Sequence, residues 1–171
     1  MRVVFDTNIL ISALLFPGGR GEAALWRIIH GRDELLWSKP ILDELLATLA
    51  RKFSRDAEEL ARLAVFIGDI ATVVHPRRRL AVVKDEPDNR VLECALTGRA
   101  DAIVTGDRGL LALHQFRGVR LLTLREYLGS SEAGSTPPQD LAQRIQARFK
   151  SARGVDLPLP ERSPGEPRKR R

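Results

Sequence analysis

Apolar residues recur along the chain in two alternating rhythms. Short β-branched or aromatic runs stand between longer stretches in which apolar positions return every three or four residues. Val3, Val4 and Phe5 form the first such run; it ends on Asp6, after which Ile9, Leu10, Ala13 and Leu14 follow a helical spacing. Residues 16–21 read as a loop, 22–30 as a helix with an apolar face of Ala23, Leu25, Trp26, Ile28 and Ile29, and 34–37 as a second short strand. Ser38 reads as the N-cap of the next helix, with Pro40 in its first turn, and the stripe Ile41, Leu42, Leu45, Leu46, Leu49 and Phe53 carries that helix to about residue 53. After a polar turn at 54–56, residues 57–70 are predicted helical and 72–75 extended, and Pro76 with Arg77, Arg78 and Arg79 breaks the strand. Pro87 suits the start of a helix that runs to Thr97 and stops at Gly98. A fourth short run, apolar at Ala102, Ile103 and Val104 after Asp101, a helix at 110–113, a strand at 119–122 and a helical turn at 124–128 complete the pattern.

Strands that alternate with helices in this way describe an α/β domain around a parallel sheet, and no internal repeat opposes that. Two of the predicted strands are followed by a carboxylate with a helix behind it, at Asp6 and again at Asp107. In a parallel sheet such residues arrive at the carboxyl edge, where open α/β folds bind ligands. The simpler reading is that Asp6 or Asn8 only caps the helix that follows; the other acids decide between the two. Asp88 has Leu92, Ala95 and Leu96 behind it at helical spacing and so belongs to the apolar, inward face, although an acid in a first turn also compensates the helix dipole. On the helix after Ser38, Asp43 and Glu44 flank the apolar stripe on opposite sides, and periodicity does not say which of them faces a site.

Composition narrows the setting. A chain of 171 residues, 43% hydrophobic and 29% charged, suits one globular domain with an appendage. The apolar run at 9–16 is too short to span a bilayer, and Asp6 and Asn8 interrupt any signal peptide, so no membrane is expected as a partner. The single cysteine, Cys94, lies in an apolar helical run; it reads as core rather than nucleophile, and the absence of a disulfide framework fits a reducing, cytoplasmic setting. The net charge of +6 is unevenly spread, because residues 130–171 hold 9 of the 28 basic residues against 5 acids. A domain at 1–129 is therefore followed by a basic, Pro-rich, flexible tail at 130–171, with one helix at 140–150 and a cationic end of Arg168, Lys169, Arg170 and Arg171. A basic balance favours a polyanionic partner. Arg77, Arg78 and Arg79, with the terminal cations, are the candidate nucleic-acid contacts, although a solvated loop and a functionless extension account for them as well.

Asp6, Asp107, Asp88 and one acid of the helix after Ser38 converge on a single crevice if the two acid-ended strands are neighbours. Such a cluster is costly unless a carboxyl is protonated or a cation is bound. An all-oxygen donor set selects a hard ion, Mg²⁺ or Mn²⁺, and His30, His75 and His114 each end an element without completing a metal motif. A hard ion among carboxylates suits phosphodiester hydrolysis, because it activates water and offsets repulsion between the acids and a phosphate. Nucleotide-fuelled chemistry is not expected, since the loop at 16–21 lacks the Gly-Lys-Ser/Thr ending of a P-loop. An aspartyl-phosphate phosphatase also begins with a strand-end Asp, but it wants a second acid two residues on, where Asn8 stands.

Asp6-Thr7-Asn8, Ile41-Leu42-Asp43-Glu44-Leu45, Asp85-Glu86-Pro87-Asp88-Asn89 and Thr105-Gly106-Asp107, in that order, resemble a PIN domain over about residues 1–128. Within that superfamily the chain is similar to the toxin–antitoxin branch, relatives of VapC-type toxins. The resemblance implies a three-layer α/β/α fold with a roughly five-stranded parallel sheet and a divalent-metal-dependent endoribonuclease site. It implies a catalytic and metal-holding quartet of Asp6, Glu44, Asp88 and Asp107, and it is what prefers Glu44 to Asp43. It gives Asn8 the part of orienting Asp6, and sets Thr105 beside the metal or the scissile phosphate. The partners implied are an RNA substrate and a cognate antitoxin, with a homodimer left open. Gly109 stands where many relatives carry another acid, so the number of ions is also left open. A non-catalytic nucleic-acid-binding module on the same fold is the alternative, and the presence of all four acids speaks against it.

Overall fold

The computed structural model describes residues 1–53 and 56–129. The tail expected at 130–171, the helix expected at 140–150, the terminal run Arg168, Lys169, Arg170 and Arg171, and most of the turn expected at 54–56 lie outside the described residues. The elements run in the order β1 (Arg2–Phe5), α1 (Thr7–Leu15), α2 (Arg20–Ile29), β2 (Glu34–Ser38), α3 (Lys39–Phe53), α4 (Ala57–Ile70), β3 (Ala71–Val74), α5 (Glu86–Thr97), β4 (Ala102–Val104), α6 (Arg108–Leu111), β5 (Gln115–Phe116), β6 (Val119–Leu122) and α7 (Leu124–Gly129).

The strands form one sheet in the order β3-β2-β1-β4-β6-β5. The pairs β3–β2, β2–β1, β1–β4 and β4–β6 are parallel, which gives the expected five parallel strands, and β5 adds a short antiparallel edge on β6. The β5–β6 turn is made by Arg117 and Gly118 at φ 48° and 91°. Two successive left-handed residues match the twist of a tight hairpin. The chain winds outward from β1 to β3 and then returns to the other side of β1 with β4. The carboxyl ends of β1 and β4 therefore flank the place where the winding reverses, which is where such sheets form a crevice.

Consecutive strand residues point to opposite faces. Val3, Val4, Ala102, Ile103 and Val104 are fully buried and Phe5 nearly so, so both faces of the central strands are covered by helices. Helix α5 packs on β1, β2 and β4 and against α3, while α1 and α7 pack on α2. Near the opposite, amino edge of the sheet, the buried Asp33 accepts hydrogen bonds from Arg27 Nε and the Tyr127 hydroxyl, each at 2.7 Å, and from the Met1 ammonium at 2.6 Å. Burial alone would raise the Asp33 carboxyl, but these donors together hold it below its ordinary value. The Tyr127 ring meets Phe5 edge-on at 5.5 Å, which ties α7 to β1.

Two element boundaries meet their expected residues in ways the pattern alone does not show. Ser38 closes β2 and directly precedes Lys39, the first residue of α3, so it stands at the expected N-cap position, but its fully buried hydroxyl bonds no helix amide. Extended pairing with Val74 carries the strand one residue further than the apolar run does. Gly98 does follow α5, but at an ordinary φ of −78°; the left-handed residue is Arg99 at φ 51°. What position 98 requires is space, because a Cβ there would lie 2.7 Å from Leu36 Cδ1 and 3.0 Å from Val74 Cγ2. Cys94, on the same helix, is fully buried, and burial pushes its thiol up to about 12, as suits a core residue. Among the described residues no helix is long and apolar enough to cross a membrane.

Gly98→Ala should therefore destabilise the protein by about 1–3 kcal/mol through overpacking, even though its backbone conformation tolerates alanine. Urea denaturation measures this, and an unchanged or raised midpoint would contradict the close packing of α5 on β2 and β3.

Candidate active site

Asp6 follows β1 directly and is 5% exposed. Its Oδ1 accepts a hydrogen bond from the Asn8 backbone N–H at 2.8 Å, which caps α1, and its Oδ2 accepts from the Thr105 hydroxyl at 2.6 Å. Capping and presentation at the sheet edge are thus the same arrangement, not alternatives. The Asn8 side chain is exposed, so the orienting contact is the Asn8 amide rather than its carboxamide. Thr105, fully buried after β4, also accepts from the Asp107 N–H at 2.9 Å, so one hydroxyl bridges the two strand-end acids. Asp107 in turn caps α6 by accepting from the Leu110 N–H at 3.0 Å.

Helix α3 separates its two adjacent acids. Asp43 points to solvent and pairs with Lys39 at 2.6 Å. Glu44 is half-buried and accepts from the Thr7 hydroxyl at 2.8 Å. Burial raises the Glu44 carboxyl above its ordinary value; the Thr7 hydrogen bond opposes this, and Asp6 and Asp85 add to it. Asp88, half-buried in the first turn of α5, is pushed up to about 7 by burial and then by Asp107, Asp85, Asp6 and Glu44. Asp6, Glu44 and Asp107, the other expected acids of the quartet, thus all lie within electrostatic reach of Asp88.

Two residues join them that no role was expected for. Thr7 is buried beside Asp6 and fixes Glu44. Asp85, exposed at the N-cap of α5, makes no side-chain cap bond, and its charge acts on both Glu44 and Asp88. The interval of three residues between Asp85 and Asp88 is the signal that could have found it, since one helical turn returns to the same side. Arg77, Arg78 and Arg79 are exposed on the segment that leads into α5.

The donor set is oxygen throughout: four carboxylates, with the hydroxyls of Thr7 and Thr105 bonded to two of them. That chemistry fits Mg²⁺ or Mn²⁺. Among the described residues, no three acidic or other ligating side chains are already drawn together tightly enough to clasp one ion. What the arrangement does is hold like charges at a crevice with less compensation than they need, which favours either a proton or a cation there.

Residues 2–109 match the PIN domain family. Uncharacterized protein MJ1680 of Methanocaldococcus jannaschii is 29% identical over 117 residues, covering 66% of this chain and 75% of that protein. A chain of VapBC2 from Rickettsia felis, solved bound to a DNA fragment from its promoter, superposes with a TM-score of 0.53 at 15% identity, covering 72% of this chain and 98% of that chain. A chain of VapBC-1 from nontypeable Haemophilus influenzae gives 0.50 at 16% identity, covering 73% and 99%. At such identities these two structures establish a shared fold. The family match takes in β1 to the start of α6 and includes all four acids of the crevice. The chain belongs to the PIN domain family, whose members are generally nucleases.

Proposed function

We propose that the chain is a divalent-metal-dependent endoribonuclease that hydrolyses RNA phosphodiester bonds, and that it is the toxin of a two-component pair. The observation that carries this reading is the meeting of acids from two adjacent strand ends and two helices: Asp6 and Asp107 tied through the Thr105 hydroxyl, Glu44 fixed by Thr7, and Asp88 pressed by burial and by these acids. Asp6, Glu44, Asp88 and Asp107 would hold Mg²⁺ or Mn²⁺, which when bound makes water a stronger nucleophile at neutral pH and offsets charge at the phosphate. Thr105 and the Asn8 amide fix Asp6, and Thr7 fixes Glu44, so the carboxylates are presented in set orientations. In the metal-free protein Asp88, near 7, carries the proton that a bound cation would replace. Arg77, Arg78 and Arg79 would meet the RNA backbone, and the cations of residues 130–171 would extend that contact. The VapBC assemblies from Rickettsia felis and Haemophilus influenzae support a small antitoxin as the partner chain.

Asp6→Asn and Glu44→Gln should each lower metal-dependent cleavage of a fluorescent RNA by about a hundredfold or more, while Asp43→Asn should leave it within about twofold, since Asp43 serves only a surface pair. Near-normal cleavage by Asp6→Asn would end the reading. A wild-type protein that binds RNA but does not cut it in Mg²⁺ or Mn²⁺ would be the non-catalytic module instead.

Stability should report the same cluster. The folded carboxyl of Asp88 stands near 7 against an ordinary 3.8, so folding favours its protonated form. In the metal-free protein the stability associated with that proton is intact below pH 3.8 and is lost as the pH rises to about 7. Mg²⁺ or Mn²⁺ should then raise the Tm, more at pH 8 than at pH 5, with about 2.7 kcal/mol of stabilisation at a hundredfold excess over Kd. Asp88→Asn should flatten the metal-free decline and shrink the metal-induced shift. Thermal melts across that range check this, and a variant with the wild-type pH dependence would contradict it.

A further inference from the structure

Between β3 and α5, residues 75–85 have no ladder of their own, yet they carry four exposed cations, Arg77, Arg78, Arg79 and Lys84. Backbone groups in such a segment need partners when they lie against the fold. Here α5 supplies them from side chains. Asn89, 4% exposed, accepts from the Val82 N–H at 2.7 Å and the Val83 N–H at 3.1 Å, and donates from Nδ2 to the Val83 carbonyl at 2.8 Å and the Asp85 carbonyl at 2.9 Å. Both protons and both lone pairs of the carboxamide are thereby used. One turn further on, the buried Glu93 accepts from the Leu80 N–H at 2.6 Å, and Arg90 donates to the Leu80 carbonyl at 3.2 Å while pairing with Glu93 at 2.9 Å. Arg79 Nη1 lies 3.8 Å from Glu93 Oε2.

The order of these contacts lays the segment antiparallel along α5: Leu80 beside Glu93, Val82 and Val83 beside Asn89, and Asp85 at the N-cap. A rise of about 1.5 Å per residue puts the level of Glu93 about 7.5 Å along the axis from Asp88. The stretch from Arg79 to Asp85 is thus held alongside the helix that presents Asp88, with Arg77 and Arg78 exposed just before it. A segment fixed before binding loses less conformational entropy when RNA arrives than a free one would.

We propose that Asn89 is a positioning residue: it locks residues 82–85 onto α5 so that Arg77, Arg78, Arg79 and Lys84 form a fixed cationic ledge for the phosphates that flank the bond cut at the acids. This rests on the ribonuclease reading above. Asn89 touches no substrate; its effect passes through the ledge, and a simple staple of the fold would not share its effect with the arginines.

The test uses the full chain and a fluorescent single-stranded RNA, with Asn89→Ala, the triple variant Arg77→Ala/Arg78→Ala/Arg79→Ala, and their combination. Asn89→Ala should raise KM roughly tenfold with kcat changed less than about threefold, and should flatten the dependence of affinity on salt, to which each phosphate contact to a single strand contributes roughly −0.7. Because both changes act on one ledge, the combined variant should be no worse than the triple variant. Amide exchange should show Val82 and Val83 protected in the wild type and released in Asn89→Ala, with β1 and β4 amides unchanged. Should Asn89→Ala fail to fold, Glu93→Ala, which frees Leu80, is held to the same KM and non-additivity criteria. Additive losses, an unchanged KM and salt slope, or unprotected Val82 and Val83 amides in the wild type would overturn the proposal. A wild-type protein that neither binds nor cuts RNA would end the ribonuclease reading and the ledge with it, whereas RNA cutting with a normal KM in Asn89→Ala would end the positioning role alone.

Discussion

Repulsion among carboxylates that a rigid sheet will not let separate is the constraint around which this molecule is built. Strands β1 and β4 are adjacent and buried from Val3 to Phe5 and from Ala102 to Val104, so the residues beyond their carboxyl ends, Asp6 and Asp107, have little freedom to move apart. Helices α3 and α5, packed against each other, add Glu44 and Asp88 from the side. The fold compensates in part. Asp6 caps α1 and Asp107 caps α6, so each carboxylate answers backbone N–H groups that would otherwise be orphaned, and Thr105 and Thr7 donate hydroxyls to Asp6 and Glu44. Asp88 stands in a helix first turn, where the dipole favours negative charge. That help is too small, because burial and four neighbouring acids still raise Asp88 to about 7.

The same economy of parts extends outward. Side chains that look like helix-face residues in sequence serve as partners for backbone in the structure: Asn89 and Glu93 on α5 take up the amides of Val82, Val83 and Leu80. This lets a segment without a ladder run beside the crevice and hold basic residues there. Asp88 and the partners of the positive segment are therefore carried by one helix, and a change in α5 packing would move both.

Much of this was legible in the chain. The parallel sheet and the positions of Asp6 and Asp107 follow from apolar runs with acids behind them, because a buried strand must be apolar throughout and a carboxylate there marks its end. The inward side of Asp88 was readable from Leu92, Ala95 and Leu96 for the same kind of reason. What escaped depends on partners distant in sequence or on very few residues. Strand β5 is two residues long and joined through a left-handed arginine, which leaves no periodicity to read. Ser38 stands just before α3 as expected, but its pairing with Val74 in β2 was not readable from local capping preference. Glu44 could not be separated from Asp43 by spacing; a threonine 37 positions away, Thr7, distinguishes them in the fold. Asn8 was expected to orient Asp6, and its backbone N–H is the group that makes the contact; Asp85 was passed over although it lies one turn before Asp88.

The most direct test of the account is the titration of the Asp88 carboxyl, followed by carbon-13 NMR in metal-free protein and again with Mg²⁺. The account predicts a midpoint near 7 without metal, a lower midpoint in Asp107→Asn as one repelling charge leaves, and a marked fall when Mg²⁺ is added. A midpoint near the ordinary 3.8, indifferent to Asp107→Asn and to Mg²⁺, would show that the acids do not press on one another and would contradict the account.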